Sequence, residues 1–143
     1  MDKEIIQYHF DELLKTLIIL SSPAEKQKDI MGFGNVGEDM LVDFESHFNG
    51  VIANHYVETG FLSANEIKKL EEYDRFLDKK CNGQVIEVFT NFDKLKNNSV
   101  WEEIRTETFK LLKYISKDNL DIEITREIDK NLEWTITKLI KKK

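Results

Sequence analysis

The amino-acid sequence predicts a mainly α-helical fold, a single-domain bundle of about five to six helices over residues 1–143. Apolar residues recur at three- and four-residue steps through most of the chain, and a Ser-x-x-Glu pattern that can cap a helix occurs three times. One proline and six glycines leave few positions that interrupt a helix. A chain of this length buries about 70% of its unfolded surface, so it can form one substantial hydrophobic core.

Three helices are predicted in the N-terminal part of the chain. Residues 5–20 carry apolar side chains at helical spacing, and the Ser-Pro-Ala-Glu sequence at 22–25 predicts a new capped start, with a short helix that ends at about residue 30. A longer helix is predicted over residues 37–57. Gly50 lies inside it and costs about 1 kcal/mol relative to alanine.

Two further capping boxes predict two strongly amphipathic helices. The box at 63–66 opens a helix that extends to Cys81, and Gly83 is placed to end it. The box at 99–102 opens a helix that continues to Ile115.

Two short apolar segments allow either of two interpretations. Residues 85–89 are rich in β-formers and predict a short strand or a buried loop, and residues 120–124 alternate apolar with acidic side chains. The two segments could form a minor two-stranded β element, or 120–124 could begin a terminal helix. We favour the helix, which continues over residues 125–140 and ends in the three lysines 141–143.

The acidic residues are concentrated in the middle of the chain. Residues 36–78 contain ten acids and three bases, a net charge of −7, whereas the whole chain carries −6. Such a field repels nucleic acid and attracts basic proteins. The longest apolar run, residues 17–20, is too short for a membrane span, and the single cysteine excludes an intrachain disulfide. We therefore expect a cytoplasmic protein that binds neither nucleic acid nor a membrane.

These considerations select a set of acids as candidate contacts for a basic partner, and one further acid as structural. Asp74 falls on an apolar helix face, so we expect it to form a structural ion pair with Arg105. The candidate partner-binding residues are Glu38, Asp39, Asp43, Glu45, Glu71, Glu72 and Asp78.

Patterns that suggest a metal or a cofactor have simpler explanations. Asp39, Asp43 and His47 are spaced by fours, but the chain has no Glu-x-x-His pair of the kind used in bundle metal sites, and His55 is predicted to be a core histidine. The glycines at 32–37 match a dinucleotide-binding pattern without its preceding strand, and acids follow where phosphates would lie, so they predict a turn. We therefore assign no catalytic, cofactor-binding or metal-binding residue, and no cofactor.

Three stretches, at 43–48, 70–77 and 101–105, resemble small acidic helical bacterial proteins that act as immunity proteins of polymorphic toxin systems. The resemblance covers roughly residues 5–115 and transfers no functional residue. It implies a non-enzymatic protein-binding module that neutralises a basic toxin domain through an acidic helical surface. The alternatives are a structural or regulatory protein that forms a homodimer through its C-terminal helix, and a metal-dependent helical-bundle enzyme.

Overall fold

The computed structural model describes residues 1–32 and 34–143. Phe33, which the sequence places in the loop after the second helix, lies outside the described residues. The described residues form eight helices and two β-strands, so the mainly α fold with a minor two-stranded β element is confirmed. The elements are α1 (Lys3–Leu20), α2 (Ala24–Met31), α3 (Val36–His47), α4 (Ile52–Glu58), α5 (Ala64–Cys81), α6 (Glu87–Thr90), α7 (Phe92–Asn97), α8 (Ser99–Tyr114), β1 (Leu120–Asp129) and β2 (Leu132–Lys141).

The hydrophobic core is organised by α1 and α8. Helix α1 packs against α3 and α8, and α8 also packs against α5. Leu13 and Leu17 of α1 and Trp101 and Ile104 of α8 are completely buried. The Trp101 indole donates a hydrogen bond to the Val88 carbonyl oxygen at 2.6 Å, which ties α6 to the core and satisfies the buried N–H group.

One of the three predicted capping boxes is confirmed and two are wrong. Ser63 and Glu66 each bond the other's backbone N–H at the start of α5. The Ser22 hydroxyl instead donates to a carbonyl of α1, so it does not cap α2. Asn98 caps α8 instead, because its side-chain oxygen accepts a hydrogen bond from the Val100 N–H at 2.8 Å, and Ser99 is the first helical residue.

The predicted single helix over 37–57 is wrong, because the chain breaks between α3 and α4. Phe48 is extended (φ −139°, ψ 106°), and this conformation leaves its ring buried, with 4% exposed. The Asn49 side chain then accepts hydrogen bonds from the first N–H groups of the next segment, at 3.0 and 3.2 Å. A short separate helix therefore replaces a continuous one.

The predicted terminal helix is also wrong, because residues 120–141 form an antiparallel β-hairpin. Lys130 and Asn131 have φ values of 49° and 69°, as a two-residue type I′ turn requires. The segment 120–124 is a strand, but it pairs with residues 137–141, and the predicted partner 85–89 overlaps the short helix α6. The apolar residues at 128, 132, 136 and 140 are spaced by four, which fits a helix, and those at 132, 136 and 140 also share one face of β2.

The hairpin has one face on the helical body and one face in solvent. Ile122 is buried, and its cross-strand neighbour Leu139 packs against the core on the same face. On the opposite face, Leu132, Trp134 and Ile136 are 68%, 41% and 42% exposed. An apolar strip is therefore left uncovered. Among the described residues, no helix has both the length and the hydropathy that crossing a bilayer requires.

Candidate protein-binding site

The acids of α3 point to two sides of the helix. At about 100° per residue, Glu38 and Glu45 are roughly 20° apart, whereas Asp39 and Asp43 lie about 100–140° from Glu38. Glu38 and Glu45 line a cleft between α3 and α5, whereas Asp43 lines a different cleft beneath the β-hairpin. The predicted contact residues therefore divide between two surfaces.

The cleft between α3 and α5 has a volume of about 390 Å³ and combines an apolar floor with an acidic rim. Phe44 of α3 and Tyr73 of α5 connect the two helices, with ring centroids 5.3 Å apart. Val42 and Ile86 line the cleft and are 53% and 68% exposed. The other uncharged lining residues are Leu41, Phe44, Leu77, Cys81 and Phe89, and the carboxylates are Glu38, Glu45, Asp74 and Asp78.

The four carboxylates of this cleft have no cationic partner among the described residues. No Lys, Arg or His nitrogen lies within 4.0 Å of any of them. Glu38 accepts only a 3.4 Å hydrogen bond from the Asn35 amide. Some acids elsewhere are paired, as Glu103 is with Lys80 at 2.7 Å. The cleft therefore keeps its negative field available to another molecule.

Asp74 lies in this cleft and does not pair with Arg105, so that part of the sequence prediction is wrong. Burial raises the pKa of Asp74, and the neighbouring charges of Asp78 and Glu45 raise it further. The nearby Arg75 lowers the pKa to a smaller extent. The folded protein thus holds this carboxylate among like charges, an arrangement that costs free energy.

Arg105 is instead a clamp between α2, α7 and α8. Its Nε donates to the Ser22 carbonyl oxygen at 3.0 Å, and its Nη2 donates to Gln27 Oε1 at 2.9 Å and to the Leu95 carbonyl oxygen at 2.6 Å. Gln27 is completely buried. Burial lowers the pKa of Arg105. Arg105 binds neutral acceptors because the ends of helices have carbonyl groups without a partner inside the helix. The spacing of apolar residues does not predict these contacts.

The remaining predicted contacts differ in their surroundings. Asp43 is half-buried. Burial is the main cause of its raised pKa, and the charges of Asp39 and Glu12 raise it further. On α5, Glu71 and Glu72 are exposed, and Glu72 forms an ion pair with Lys69 at 3.5 Å. Glu72 is therefore the one member of the predicted set whose charge is already paired within the described residues.

A histidine pair joins α1 to α3, and no local sequence pattern predicts it. His9 Nδ1 lies 3.0 Å from His47 Nδ1, and the ring planes are tilted by 51°. Burial lowers the pKa of His47, and the proximity of His9 lowers it further. The predicted core histidine, His55, is 26% exposed and lies 3.4 Å from Glu58, so its core assignment is wrong. His9 and His47 are 38 residues apart, and only the packing of two helices brings them together.

The glycine pattern at 32–37 contains one residue that packing requires. A Cβ atom on Gly37 would lie 2.6 Å from Trp101 Cζ2 and 2.9 Å from the Phe89 carbonyl oxygen. Gly32 and Gly34 have φ values of 81° and 114°, which favour glycine. The pattern therefore reflects positive φ at Gly32 and Gly34 and close packing of α3 on Trp101.

Cys81 contributes its side chain to the wall of the acidic cleft. Burial raises the pKa of its thiol, and Asp78 raises it further. The thiol is therefore protonated at neutral pH, as a packing cysteine is.

The cleft beneath the hairpin is larger, about 1030 Å³, but its charges are mixed. Lys15, Lys28 and Arg126 line it together with acids such as Glu12 and Asp43. Arg126 bonds Asp29 at 2.9 Å, and Lys15 bonds the Thr137 carbonyl oxygen at 3.0 Å, so these cations hold the hairpin against the helices.

The cleft between α3 and α5 therefore provides carboxylates and apolar surface, which suit a ligand that is both cationic and apolar. Comparison of the chain with protein-family models, with curated proteins and with solved structures gives no match.

Proposed function

We propose that this chain is a non-enzymatic binding protein that takes a basic protein partner in the acidic cleft between α3 and α5. The observation that carries the proposal is the set of four unpaired carboxylates around an apolar floor.

The charge arrangement supports fast capture of a cationic surface. A cleft lined by one sign of charge attracts an oppositely charged partner and can raise its association rate by about 10-fold or more at low salt. Burial raises the pKa of Asp74 most, and repulsion from Asp78 and Glu45 raises it further; a Lys or Arg beside Asp74 would offset that repulsion.

The apolar floor supports an affinity that charge alone does not supply. Interfaces derive most of their free energy from a few buried apolar or aromatic anchors, surrounded by a polar rim. Leu41, Leu77 and Phe89 offer such a floor, and Val42 and Ile86 extend it into solvent. We therefore expect a partner segment with apolar side chains flanked by lysine or arginine.

The resemblance to immunity proteins suggests the class of this partner. A basic toxin domain would present cationic residues around its own active site, and an acidic cleft would cover them. Neutralisation by steric and electrostatic blocking requires no catalytic group on this chain.

The test is capture of basic proteins from the source organism, or of the product of the neighbouring gene, on immobilised wild-type protein. We expect a basic partner whose retention weakens as salt rises, because salt screens exposed charges. The double variant Glu45→Lys/Asp78→Lys should lose that partner.

The matched control is Glu123→Lys/Glu127→Lys on the hairpin, which makes the same change in net charge. Both of these acids are exposed and have no ion pair among the described residues. The control should retain the partner. No basic protein on the wild type, or equal loss with both double variants, counts against the cleft.

A self-associating protein is the second candidate, and the exposed hairpin face favours it. Leu132, Trp134 and Ile136 form an apolar strip on a two-stranded sheet whose edges can pair with another strand. Light scattering should then show a dimer that survives salt and is lost in Trp134→Ser. A monomer at all concentrations excludes this candidate.

A further inference from the structure

We propose that His9 and His47 form a two-histidine binding site for a divalent transition-metal ion that links α1 to α3. This site is separate from the acidic cleft and does not depend on the proposed partner. It concerns binding of the ion, and it assigns no catalytic step.

The ligand atoms already lie at the separation that one ion requires. Zinc binds imidazole nitrogen at about 2.0–2.1 Å, so two such nitrogens around one ion are about 2.9 Å apart at 90° and about 3.4 Å apart at the tetrahedral angle. The two Nδ1 atoms are 3.0 Å apart and the ring centroids 5.2 Å apart. An ion could therefore replace the shared proton after a shift of a few tenths of an ångström or a rotation of the rings.

The two rings come from different elements of the fold, so the ion would act as a cross-link. His9 is in the second turn of α1 and His47 is the last residue of α3. Tyr8 packs edge-on against both rings, with centroids 5.4 and 6.2 Å away, and restricts their rotation. The Tyr56 hydroxyl donates to the His47 carbonyl oxygen at 2.5 Å and holds the end of α3 in place.

Charged groups on the same two helices favour a cation at this position. Glu12 follows His9 by three residues and Asp43 precedes His47 by four, so each carboxylate lies one turn from a ligand. Lys15 opposes them in part, because it forms an ion pair with Glu12 at 3.3 Å. Imidazole ligands suit zinc, nickel and copper ions.

The site supplies two protein ligands and leaves the other coordination positions to water. In the part of the chain that the structure describes, no three His, Cys, Asp or Glu side chains are arranged as a complete metal site. We therefore expect a weaker and more readily reversible site than a four-ligand structural zinc site. Preference for nickel or copper over manganese follows from the imidazole ligands.

The test is thermal unfolding of the protein, without an affinity tag that contains histidine, in nickel chloride and then in excess chelator. An ion that binds only the folded state raises Tm as its concentration increases. We expect a rise of several degrees for the wild type, reversed by the chelator, and no rise for His9→Ala or His47→Ala.

His55→Ala is the matched control, since His55 is partly buried next to Glu58 but has no second histidine beside it. It should respond to nickel as the wild type does. A second measurement does not depend on stability: paramagnetic copper should broaden the NMR signals of residues around His9 and His47 and spare those around His55. No nickel response in the wild type, an unchanged response in both alanine variants, or copper broadening centred elsewhere overturns the proposal.

Discussion

Replacing Asp74 with asparagine should stabilise the protein at neutral pH, because it removes a negative charge that Asp78 and Glu45 repel in the acidic cleft. Asp78 is one helical turn away, and a like-charge pair at that spacing costs about 0.2–0.5 kcal/mol. Glu45 adds a further repulsion from α3. Asp74 is only half-buried, so water screens these charges and the sum stays at about 0.5–1 kcal/mol. This corresponds to a rise in Tm of about 1–4 °C.

The stability gained by Asp74→Asn should depend on pH in a direction that can be measured. Because the folded protein raises the pKa of Asp74 above its ordinary value of 3.8, the folded state binds more protons than the unfolded state between the two pKa values. Stability therefore decreases as pH rises through this window. The advantage of Asp74→Asn should be complete above the window and disappear below 3.8, where both states are protonated.

The assay is urea unfolding of wild type and Asp74→Asn at pH 7 and at about pH 3.5, in low salt and in about 1 M salt, which screens the repulsion. Glu127→Gln on the hairpin is the control, and its effect should stay within about 0.5 kcal/mol. If Asp74→Asn lost 1 kcal/mol or more at pH 7, Asp74 would have a favourable partner and the reasoning about the cleft would be refuted.

Three other predictions concern the packing of Gly37, the contacts of Arg105 and the hairpin turn. Gly37→Ala should lower the free energy of unfolding by about 1–3 kcal/mol in a urea titration, because its Cβ would overlap the core. The control is Gly50→Ala, whose Cβ would meet no atom within 4 Å, and it should be neutral or slightly stabilising. Equal effects would contradict the packing role. Arg105→Ala should lower the free energy of unfolding by about 2–3 kcal/mol, because buried acceptors lose their donor. An unchanged free energy of unfolding would contradict the role of Arg105 as a clamp. Lys130→Asn/Asn131→Gly should raise Tm, because both positions have positive φ, and a lower Tm would argue against the type I′ turn.

The helices with a clear apolar face were predictable from the sequence. For α5, the box formed by Ser63 and Glu66 and the apolar spacing gave both the start and the extent, because both signals are local. The break before α4 was not predictable in the same way. It depends on burial of the Phe48 ring by other elements, and tertiary packing overrides local helix preference.

The hairpin shows how one apolar spacing fits two structures. Steps of four residues place side chains on one face of a helix and also on one face of a strand. The deciding signal was the turn: Asn131 tolerates positive φ, and the flanking segments are rich in threonine and isoleucine, which favour strands.

The negative charge of the candidate site and its approximate position were predictable from the sequence, but the side-chain partners of its residues were not. The acidic excess and the helix that carries Asp78 could be read from composition and spacing. The separation of Glu45 from Asp43 follows from helical periodicity, but the cleft that each acid lines depends on the rotation of α3 relative to its neighbours. The true partners of Arg105 are main-chain and amide oxygens, which no side-chain pattern identifies.

The most direct test of the acidic cleft as the binding surface is hydrogen–deuterium exchange of this chain, free and in complex with the basic protein retained in the capture experiment. We predict slower amide exchange in the complex at the segments that carry the cleft, residues 38–45, 74–81 and 86–89. Slower exchange confined to the hairpin, residues 120–141, with the cleft segments unchanged, would contradict the account.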